Sequence, residues 1–338
     1  MFRSARSSRS FEATVATMDH GCESVGNLMN FWIFVGGCPR SGTTLTGELV
    51  GQALGGQVVP ESQFKNALLS QHIWRKTDVS RMLAHSTPFL LWDIGFEFLR
   101  ELPDSLDVAT LMDTVALLKA PIGMPSPRFI VDHTPSNMRV AGMLRSAFSG
   151  RCAFIHVVRN PLGVVNSVVR SDWGPSGYLR GARWWADHVS ACLASERKIS
   201  GDFLRVSFES LVIGTEDELA RVSQWLETKY TGRPGVSTYC AEMLGSRGRS
   251  CVVNPARAVA WQTEMPAYAQ RALMRAIPPA LVSSVCVPGW PVTPATAIDI
   301  MRSVGQDVWG AAKERTSDRV RYRLRRRARL RTVAVRSR

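Results

Sequence analysis

A glycine-rich loop in the segment FVGGCPRSGTTL contains residue types that could bind an anion. Four residues separate Gly37 from Gly42, and Thr43 and Thr44 follow with hydroxyl donors. Where such a loop joins a strand to a helix, backbone N–H groups gather at the helix N-terminus and attract negative charge. Arg40, inside the loop, adds a planar charged donor. On this loop alone, a tight strand-to-helix turn without any ligand remains an alternative.

The same loop argues against a nucleoside triphosphatase or kinase. A phosphate-binding loop of that kind has Lys where this chain has Thr43. No acidic residue suited to hold magnesium is evident at the end of a following strand, so we expect an anion whose chemistry needs no metal. The seven cysteines are scattered without a CxxC pair, and no spacing suits zinc. We therefore predict no metal site and thiols that serve as small apolar side chains in a reducing compartment.

Short apolar runs alternate with helical patterns along the chain. The segments predicted as strands are FWIFVGG, GQVVPE, RFIVDHTPSN, RCAFIHVVRNP and DFLRVSFESLV. The segments predicted as helices are SGTTLTGELVGQAL, RVAGMLRSAF, LGVVNSVVRSDW and EDELARVSQWLE. This alternation predicts an α/β fold with a central, mostly parallel sheet flanked by helices.

The domain organisation follows from composition and pattern. We predict a disordered leader over residues 1–30, a single domain over residues 31–310 and a basic C-terminal tail over residues 311–338. A mostly helical lobe at about residues 63–127 would cover the substrate. Breaks in its helices are predicted at Pro88, Pro103 and Pro121.

Two motifs together resemble a known family. PRSGTT after a buried strand resembles the 5′-phosphosulfate loop of sulfotransferases that use 3′-phosphoadenosine-5′-phosphosulfate (PAPS). The family's second signature is a strand ending in Arg with Ser eight residues further on, and HVVRNPLGVVNSVVR has Arg159 and Ser167 at those places. The resemblance covers about residues 31–265 and is closest to the tyrosylprotein sulfotransferase and bacterial branch. It implies a P-loop NTPase-like architecture and transfer of a sulfuryl group from PAPS to a hydroxyl or amine, without a metal.

The resemblance also implies which residues hold the donor. The 5′-phosphosulfate loop would be formed by Pro39, Arg40, Ser41, Gly42, Thr43 and Thr44. Arg159 and Ser167 would hold the 3′-phosphate, and Arg170, one helical turn after Ser167, would reinforce that site. A late loop would close over the donor, with Ser250 steadying the leaving oxygen and Arg249 or Arg257 meeting the 3′-phosphate.

The catalytic residues implied by the resemblance are Glu61, Arg40, His133 and Ser250. Glu61 in VVPES would be the general base, because a carboxylate near the acceptor can take its hydroxyl proton. The alternative for Glu61 is an acid placed at a helix N-terminus. His133 in DHTPSN stands where the family has Lys; it could donate a hydrogen bond to the bridging oxygen, with Asp132 as its partner. The alternative is a turn-capping Asp132 and a surface His133.

Phe208 marks a second departure from the family. The family often has Tyr at this position, whose hydroxyl reaches the 3′-phosphate. Phe keeps the packing of the ring and loses that contact. Phe208 and His133 together leave open a degenerate sulfotransferase without activity. A non-catalytic nucleotide-binding or nucleic-acid-binding protein also stays open, and a P-loop kinase is less favoured.

Charge and composition limit the partners. The formal net charge is +14, and the last twenty residues carry ten arginines and no acid. The tail is either a solvated extension or an electrostatic anchor to an anionic membrane or polymer, and specific nucleic-acid binding is not indicated. No secretory signal or membrane-spanning apolar stretch is present, which predicts a cytoplasmic protein. The expected acceptor is a hydroxyl of a small molecule, a glycan or a lipid. The sequence does not indicate an oligomeric state.

Overall fold

The computed structural model describes residues 30–90, 92–100, 102–120, 129–229, 252–285 and 295–316. A parallel β-sheet forms the centre of this part of the chain. Within these ranges the strands are β1 Phe31–Gly37, β2 Gln57–Val59, β3 Trp74–Arg75, β4 Ser105–Leu106, β5 Phe129–Asp132, β6 Cys152–Val158 and β7 Phe203–Ser207. Five of them form the sheet in the order β2-β5-β1-β6-β7, and every pairing is parallel. Strands β3 and β4 form a separate antiparallel pair. The predicted α/β class is confirmed.

Helices surround this sheet. Their bounds are α1 Thr43–Ala53, α2 Lys65–Leu68, α3 Lys76–Ala84, α4 Thr87–Leu90, α5 Val108–Lys119, α6 Ala141–Ala147, α7 Pro161–Val168, α8 Tyr178–Glu196, α9 Phe208–Ile213, α10 Thr215–Lys229, α11 Trp261–Glu264, α12 Ala267–Ala276, α13 Pro279–Ser284 and α14 Ala297–Thr316. Short 3-10 turns lie at Glu97–Arg100, Pro135–Val140, Arg197–Ile199 and Pro255–Ala258.

Strands β1 and β6 are apolar at every position except His156, as expected where both faces of a sheet are covered. All seven residues of β1 and all seven of β6 are buried. Alternate side chains of β1 enter different cores, as the two-residue period of a strand requires. Trp32 and Phe34 pack with Phe148 and Phe154 on one face. Ile33, with its alternate neighbours on β1, packs against α1 on the other face.

The sheet strands and the helices that follow them were predicted correctly, with differences at their ends. The segment DFLRVSFESLV was predicted as a strand, but the strand ends at Ser207. The Ser207 side chain accepts a hydrogen bond from Ser210 N and caps the N-terminus of α9. Pro88 does not break a helix. It is the second residue of α4, where a backbone N–H has no acceptor within the helix, so its absence removes no helical hydrogen bond. Pro103 lies between helices as predicted, and Pro121 is outside the described residues.

Candidate active site

The residues predicted to do chemistry follow the carboxyl ends of parallel strands. The loop after β1 contains Arg40, β6 is followed by Arg159, β5 by His133 and β2 by the segment with Glu61. Parallel pairing places these four strand ends at one edge of the sheet, where ligands of open α/β sheets bind.

The glycine loop has a strained backbone and an uncapped helix start. Arg40 has φ 73° and Gly42 has φ 100°, both in the left-handed region. A Cβ at Gly42 would lie 2.4 Å from the Phe208 ring, so glycine is needed for conformation and for space. Helix α1 begins after Gly42 without a side-chain cap. Its first backbone N–H groups therefore remain suited to an anion.

The other loop residues are arranged around this helix start. Ser41 and Thr43 are buried, Thr44 is exposed and Pro39 is half-buried. Ser41 N donates a hydrogen bond to Cys38 O at 3.0 Å, which closes the loop on itself. The exposed Thr44 hydroxyl and the exposed Arg40 side chain are thus the loop groups that face solvent.

The two predicted anion-binding turns touch each other. Arg40 Nε donates a hydrogen bond to Ser167 Oγ at 2.9 Å, across 127 residues of sequence. Arg159 Nη1 donates to the backbone oxygen of Arg40 at 2.9 Å. Arg40 therefore contacts helix α7, which follows Arg159, and Arg159 contacts the loop that contains Arg40.

Arg159 is a buried cation. The side chain is almost fully buried, and its guanidinium carbon lies 4.0 Å from the centroid of the Phe208 ring. Its Nη2 donates to Arg257 O at 3.1 Å, while its Nε has no hydrogen-bond partner among the described residues. Burial lowers the pKa of Arg159 to about 10, so the group stays charged at neutral pH. A buried charge with an unused donor is suited to an incoming phosphate.

A carboxylate that the sequence analysis did not identify organises the late loop. Glu264 lies 2.8 Å from Arg170 Nη1, 2.9 Å from Arg257 Nη1 and 2.8 Å from Asn166 Nδ2. Hydrogen bonding from Asn166, together with these two cations, lowers the pKa of Glu264. Arg170, predicted to reinforce the 3′-phosphate site, forms an ion pair with Glu264, and the backbone oxygen of Arg257 accepts a hydrogen bond from Arg159. Ser250 and Arg249 fall outside the described residues.

Glu61 and His133 follow adjacent strands, since Val59 of β2 pairs with Asp132 of β5. The Glu61 side chain is exposed. Partial desolvation of its carboxyl raises the pKa of Glu61, and the nearby His133 lowers it by a smaller amount. Helix α2 begins only at Lys65, so Glu61 is not a helix N-terminal acid. A raised carboxyl pKa brings a base closer to the pH at which it operates.

His133 is buried rather than on the surface, and its Nδ1 has no hydrogen-bond partner among the described residues. Helix α1 packs directly against it, since a Cβ at Gly47 would lie 2.6 Å from His133 Cβ. The predicted pairing of His133 with Asp132 is wrong. The carboxylate of Asp132 instead accepts hydrogen bonds from Ser62 Oγ and Thr134 and lies 2.9 Å from Lys65 Nζ.

Lys65 was not identified from the sequence. It is fully buried beneath the site and also donates to Ser62 Oγ at 2.7 Å. Burial lowers the pKa of Lys65, although Asp132 opposes this. Burial alone would raise the pKa of Asp132, but the charge of Lys65 and the hydrogen bonds from Ser62 and Thr134 leave it below its usual value. The network ties the turn after β2 to the turn after β5.

A cavity lies elsewhere in the described part of the chain. It has a volume of about 630 Å³ and lies between the segment around Ile73 and the region of Arg139, Met143 and Lys198. None of the predicted donor or catalytic residues is among its described lining. Within the same described ranges, no group of His, Cys, Asp or Glu is arranged to hold a metal. No described helix is long and apolar enough to cross a membrane.

A parallel sheet flanked by helices, with a glycine loop and a buried arginine at its carboxyl edge, defines an α/β protein. The chain belongs to the sulfotransferase family, whose model matches residues 33–232. This membership supports sulfuryl transfer as the general activity. A search of curated proteins finds no match.

Solved structures of sulfotransferase domains are similar at low identity. A sulfotransferase domain from the curacin biosynthetic pathway is 15% identical with a TM-score of 0.49, over 76% of this chain and 98% of that chain. A sulfotransferase domain from the Synechococcus PCC 7002 olefin synthase is 17% identical with a TM-score of 0.46, over 82% and 94%. A sulfotransferase from Mycobacterium avium is 14% identical with a TM-score of 0.38, over 76% and 74%.

Proposed function

We propose that the protein transfers a sulfuryl group from PAPS to a hydroxyl acceptor. The observation that carries this proposal is the direct contact between the two anion-binding turns, through Arg40 Nε to Ser167 Oγ and Arg159 Nη1 to Arg40 O. A donor with a phosphosulfate at one end and a phosphate at the other suits adjacent turns of this kind. A mononucleotide would use only one of them.

The residues fit such a donor. The uncapped start of α1 and the Thr43 and Thr44 hydroxyls would hold the 5′-phosphosulfate. Arg159, through its guanidinium charge, and Ser167, through its hydroxyl, would hold the 3′-phosphate. Arg40, already in contact with Ser167, lies between the two groups, so its charge is available to either.

The chemistry assigned to the chain's own residues is proton removal and charge stabilisation. Bound PAPS supplies a sulfuryl group whose bond to the 5′-phosphate oxygen breaks as the acceptor oxygen bonds to sulfur. Glu61 takes the proton of the acceptor hydroxyl, and a pKa raised by desolvation makes its carboxylate a stronger base. Arg40 and the N–H groups of α1 stabilise the negative charge left on the phosphate oxygen. His133 is suited to donate a hydrogen bond there.

Turnover of a labelled donor tests the proposal. The protein is incubated with sulfur-labelled PAPS and a panel of small-molecule, glycan and lipid hydroxyls, and we expect label in one acceptor class. Glu61→Gln should lower kcat at least ~100-fold because the base is lost. Glu227→Gln, a change on α10 away from this edge, is the matched control and should leave kcat unchanged.

Each outcome favours a different function. Binding of adenosine 3′,5′-bisphosphate without turnover of any acceptor would favour a non-catalytic or degenerate protein and contradict the proposal. Stabilisation by ATP with magnesium, but not by the bisphosphate, would favour a kinase. Equal turnover by Glu61→Gln and the unchanged protein would remove Glu61 from the mechanism.

A further inference from the structure

Helix α14, Ala297–Thr316, turns its polar side towards the protein. Asp299 is buried and hydrogen-bonds the guanidinium of Arg271 at 3.0 and 2.8 Å. Ser303 is fully buried, and Gln306 accepts a hydrogen bond from Tyr268 Oη at 3.0 Å. Asp307 accepts one from Arg180 N at 2.8 Å. Hydrogen bonds of Asp299, Gln306 and Asp307 therefore connect the helix to α12 and to the start of α8.

The outward side of the same helix is apolar. Its large exposed side chains, with their exposed fractions, are Ile298 57%, Met301 63%, Val304 45%, Val308 65% and Trp309 73%. Their spacing of three or four residues, with one adjacent pair, places them along a single stripe. Among the described exposed side chains of α14 there is no acid, and Arg302 is the one charged group. We call these five apolar side chains the outer face.

This arrangement inverts the usual pattern of a surface helix, whose apolar stripe faces the core and whose polar side faces water. Single exposed apolar residues are ordinary, but a contiguous apolar stripe marks an interaction surface. Elsewhere on the described surface, exposed large apolar residues such as Ile213, Val252 and Trp173 are far apart in sequence. The outer face is thus a concentrated feature of one helix.

The positive charge of the sequence that follows α14 indicates which kind of partner covers the outer face. The chain continues from α14 into the sequence RVRYRLRRRARLRTVAVRSR at residues 319–338, which has ten arginines and no acid. An apolar helix face with Trp, flanked by dense positive charge, has the composition of a segment that lies on an anionic lipid surface. A second copy of this chain would bring the same positive charge to the interface, which disfavours that occupant.

We propose that the outer face of α14 docks the protein on an anionic lipid surface, whose charge is opposite to that of the arginine-rich sequence at residues 319–338. The apolar side chains enter the interfacial region of the lipid, and the arginines attract its headgroups. The proposal does not depend on the sulfuryl-transfer activity, because it uses none of the donor or catalytic residues.

Vesicle co-sedimentation of the full chain tests it. We expect binding to vesicles of phosphatidylcholine with phosphatidylserine, weaker binding to phosphatidylcholine alone, and a decrease at high salt as the charges are screened. Replacing Val308→Ser and Trp309→Ser together should lower partitioning at least ~tenfold, because two large apolar side chains no longer enter the lipid. The matched control is Ile213→Ser with Val252→Ser, which changes two equally exposed apolar residues elsewhere and should bind like the unchanged protein.

Three results would overturn the proposal. One is the absence of vesicle binding by the unchanged protein. Another is binding by the Val308→Ser and Trp309→Ser protein equal to that of its matched control, with both still folded by circular dichroism. The third is a vesicle-free dimer in analytical ultracentrifugation that the same double change converts to a monomer, because the outer face would then be covered by a second copy.

Discussion

Arg159 combines burial, charge and an unused donor in a single side chain. Its guanidinium is held against the Phe208 ring and by two backbone oxygens, those of Arg40 and Arg257. These contacts fix the planar group in one orientation without neutralising it with a hydrogen-bonded carboxylate among the described residues. Removing a buried arginine from water is costly, so an incoming anion recovers much of that cost. At the residue scale, this is the strongest argument for a phosphate at this position.

The pH dependence of turnover reports on Glu61. Desolvation raises the pKa of Glu61 above its ordinary 4.5, so the carboxyl becomes protonated, and inactive as a base, at a higher pH than a free carboxyl would. We expect kcat/KM to fall as pH decreases through this raised pKa. A pH–rate profile of the unchanged protein and of Glu61→Gln checks this. If kcat/KM of Glu61→Gln fell at acidic pH in the same way as that of the unchanged protein, another group would be responsible for the fall.

Gly42 should not tolerate a side chain. Gly42→Ala places a Cβ 2.4 Å from the Phe208 ring, at a φ of 100°. We expect a loss of about 1–3 kcal/mol in the free energy of unfolding, together with weaker donor binding. Gly305→Ala is the matched control, since nothing lies within 4 Å of its Cβ and helix propensity favours Ala by about 1 kcal/mol. Urea unfolding measures both, and equal stability of the two variants would contradict this reading of the loop.

At the scale of elements, the Lys65–Asp132 pair connects the turns that present Glu61 and His133. The pair is fully buried, and its remaining hydrogen bonds go to Ser62 and Thr134. A buried ion pair is weak evidence for stability in itself, because both charges lose their water. The Lys65–Asp132 pair instead affects geometry, because it holds the turns that follow β2 and β5 in a fixed relative position.

Breaking this pair should cost more than breaking an exposed one. Asp132→Asn leaves Lys65 as an unpaired buried charge, and we expect a loss of about 3–5 kcal/mol in the free energy of unfolding. The matched control Asp78→Asn removes the exposed ion pair with Arg81 and should change stability by less than about 1 kcal/mol. Adding Lys65→Met to Asp132→Asn should recover part of the loss in urea unfolding. Similar losses for the two single changes would contradict the buried-pair account.

The sequence predicted the sheet and the positions of the turns at Arg40 and Arg159 better than the contacts around them. β1 and β6 are apolar at nearly every position, and each leads into a turn with a distinctive residue, Arg40 or Arg159. Helix α8 was missed although its buried residues recur at intervals of three and four, which is a readable helical pattern. Lys65 and Glu264 could not have been found in this way. Lys65 pairs with a carboxylate 67 residues away, and two of the partners of Glu264 are 94 and 98 residues away. A lysine in a sequence also gives no sign that it is buried.

At the scale of the whole molecule, one buried carboxylate joins three elements. Glu196 at the end of α8 lies 2.6 Å from His156 Nδ1 on β6 and 2.8 Å from Arg205 Nε on β7. Burial alone would raise the pKa of Glu196, but the hydrogen bonds from Arg205 and His156 outweigh it and lower the pKa from its ordinary 4.5 to about 2. The carboxylate form is therefore favoured by folding.

This shift predicts how stability depends on pH. A group whose folded pKa is lowered contributes stability that is present above its unfolded pKa and is lost as pH falls through the folded value. We expect the contribution of Glu196 to disappear between its ordinary 4.5 and about 2. Urea unfolding across this window should show a smaller loss for Glu196→Gln than for the unchanged protein. A parallel decline in the two proteins would mean that Glu196 does not carry the effect.

The affinity for adenosine 3′,5′-bisphosphate, compared with that for adenosine 5′-monophosphate, tests the central claim most directly. Isothermal titration calorimetry of the unchanged protein should show a preference for the bisphosphate of at least ~tenfold, because the second phosphate meets Arg159. Arg159→Ala should abolish that preference, while Arg145→Ala, a change at an exposed ion pair, should keep it. Equal affinity of the unchanged protein for both nucleotides would contradict the account, since the turns at Arg40 and Arg159 would then not share one ligand.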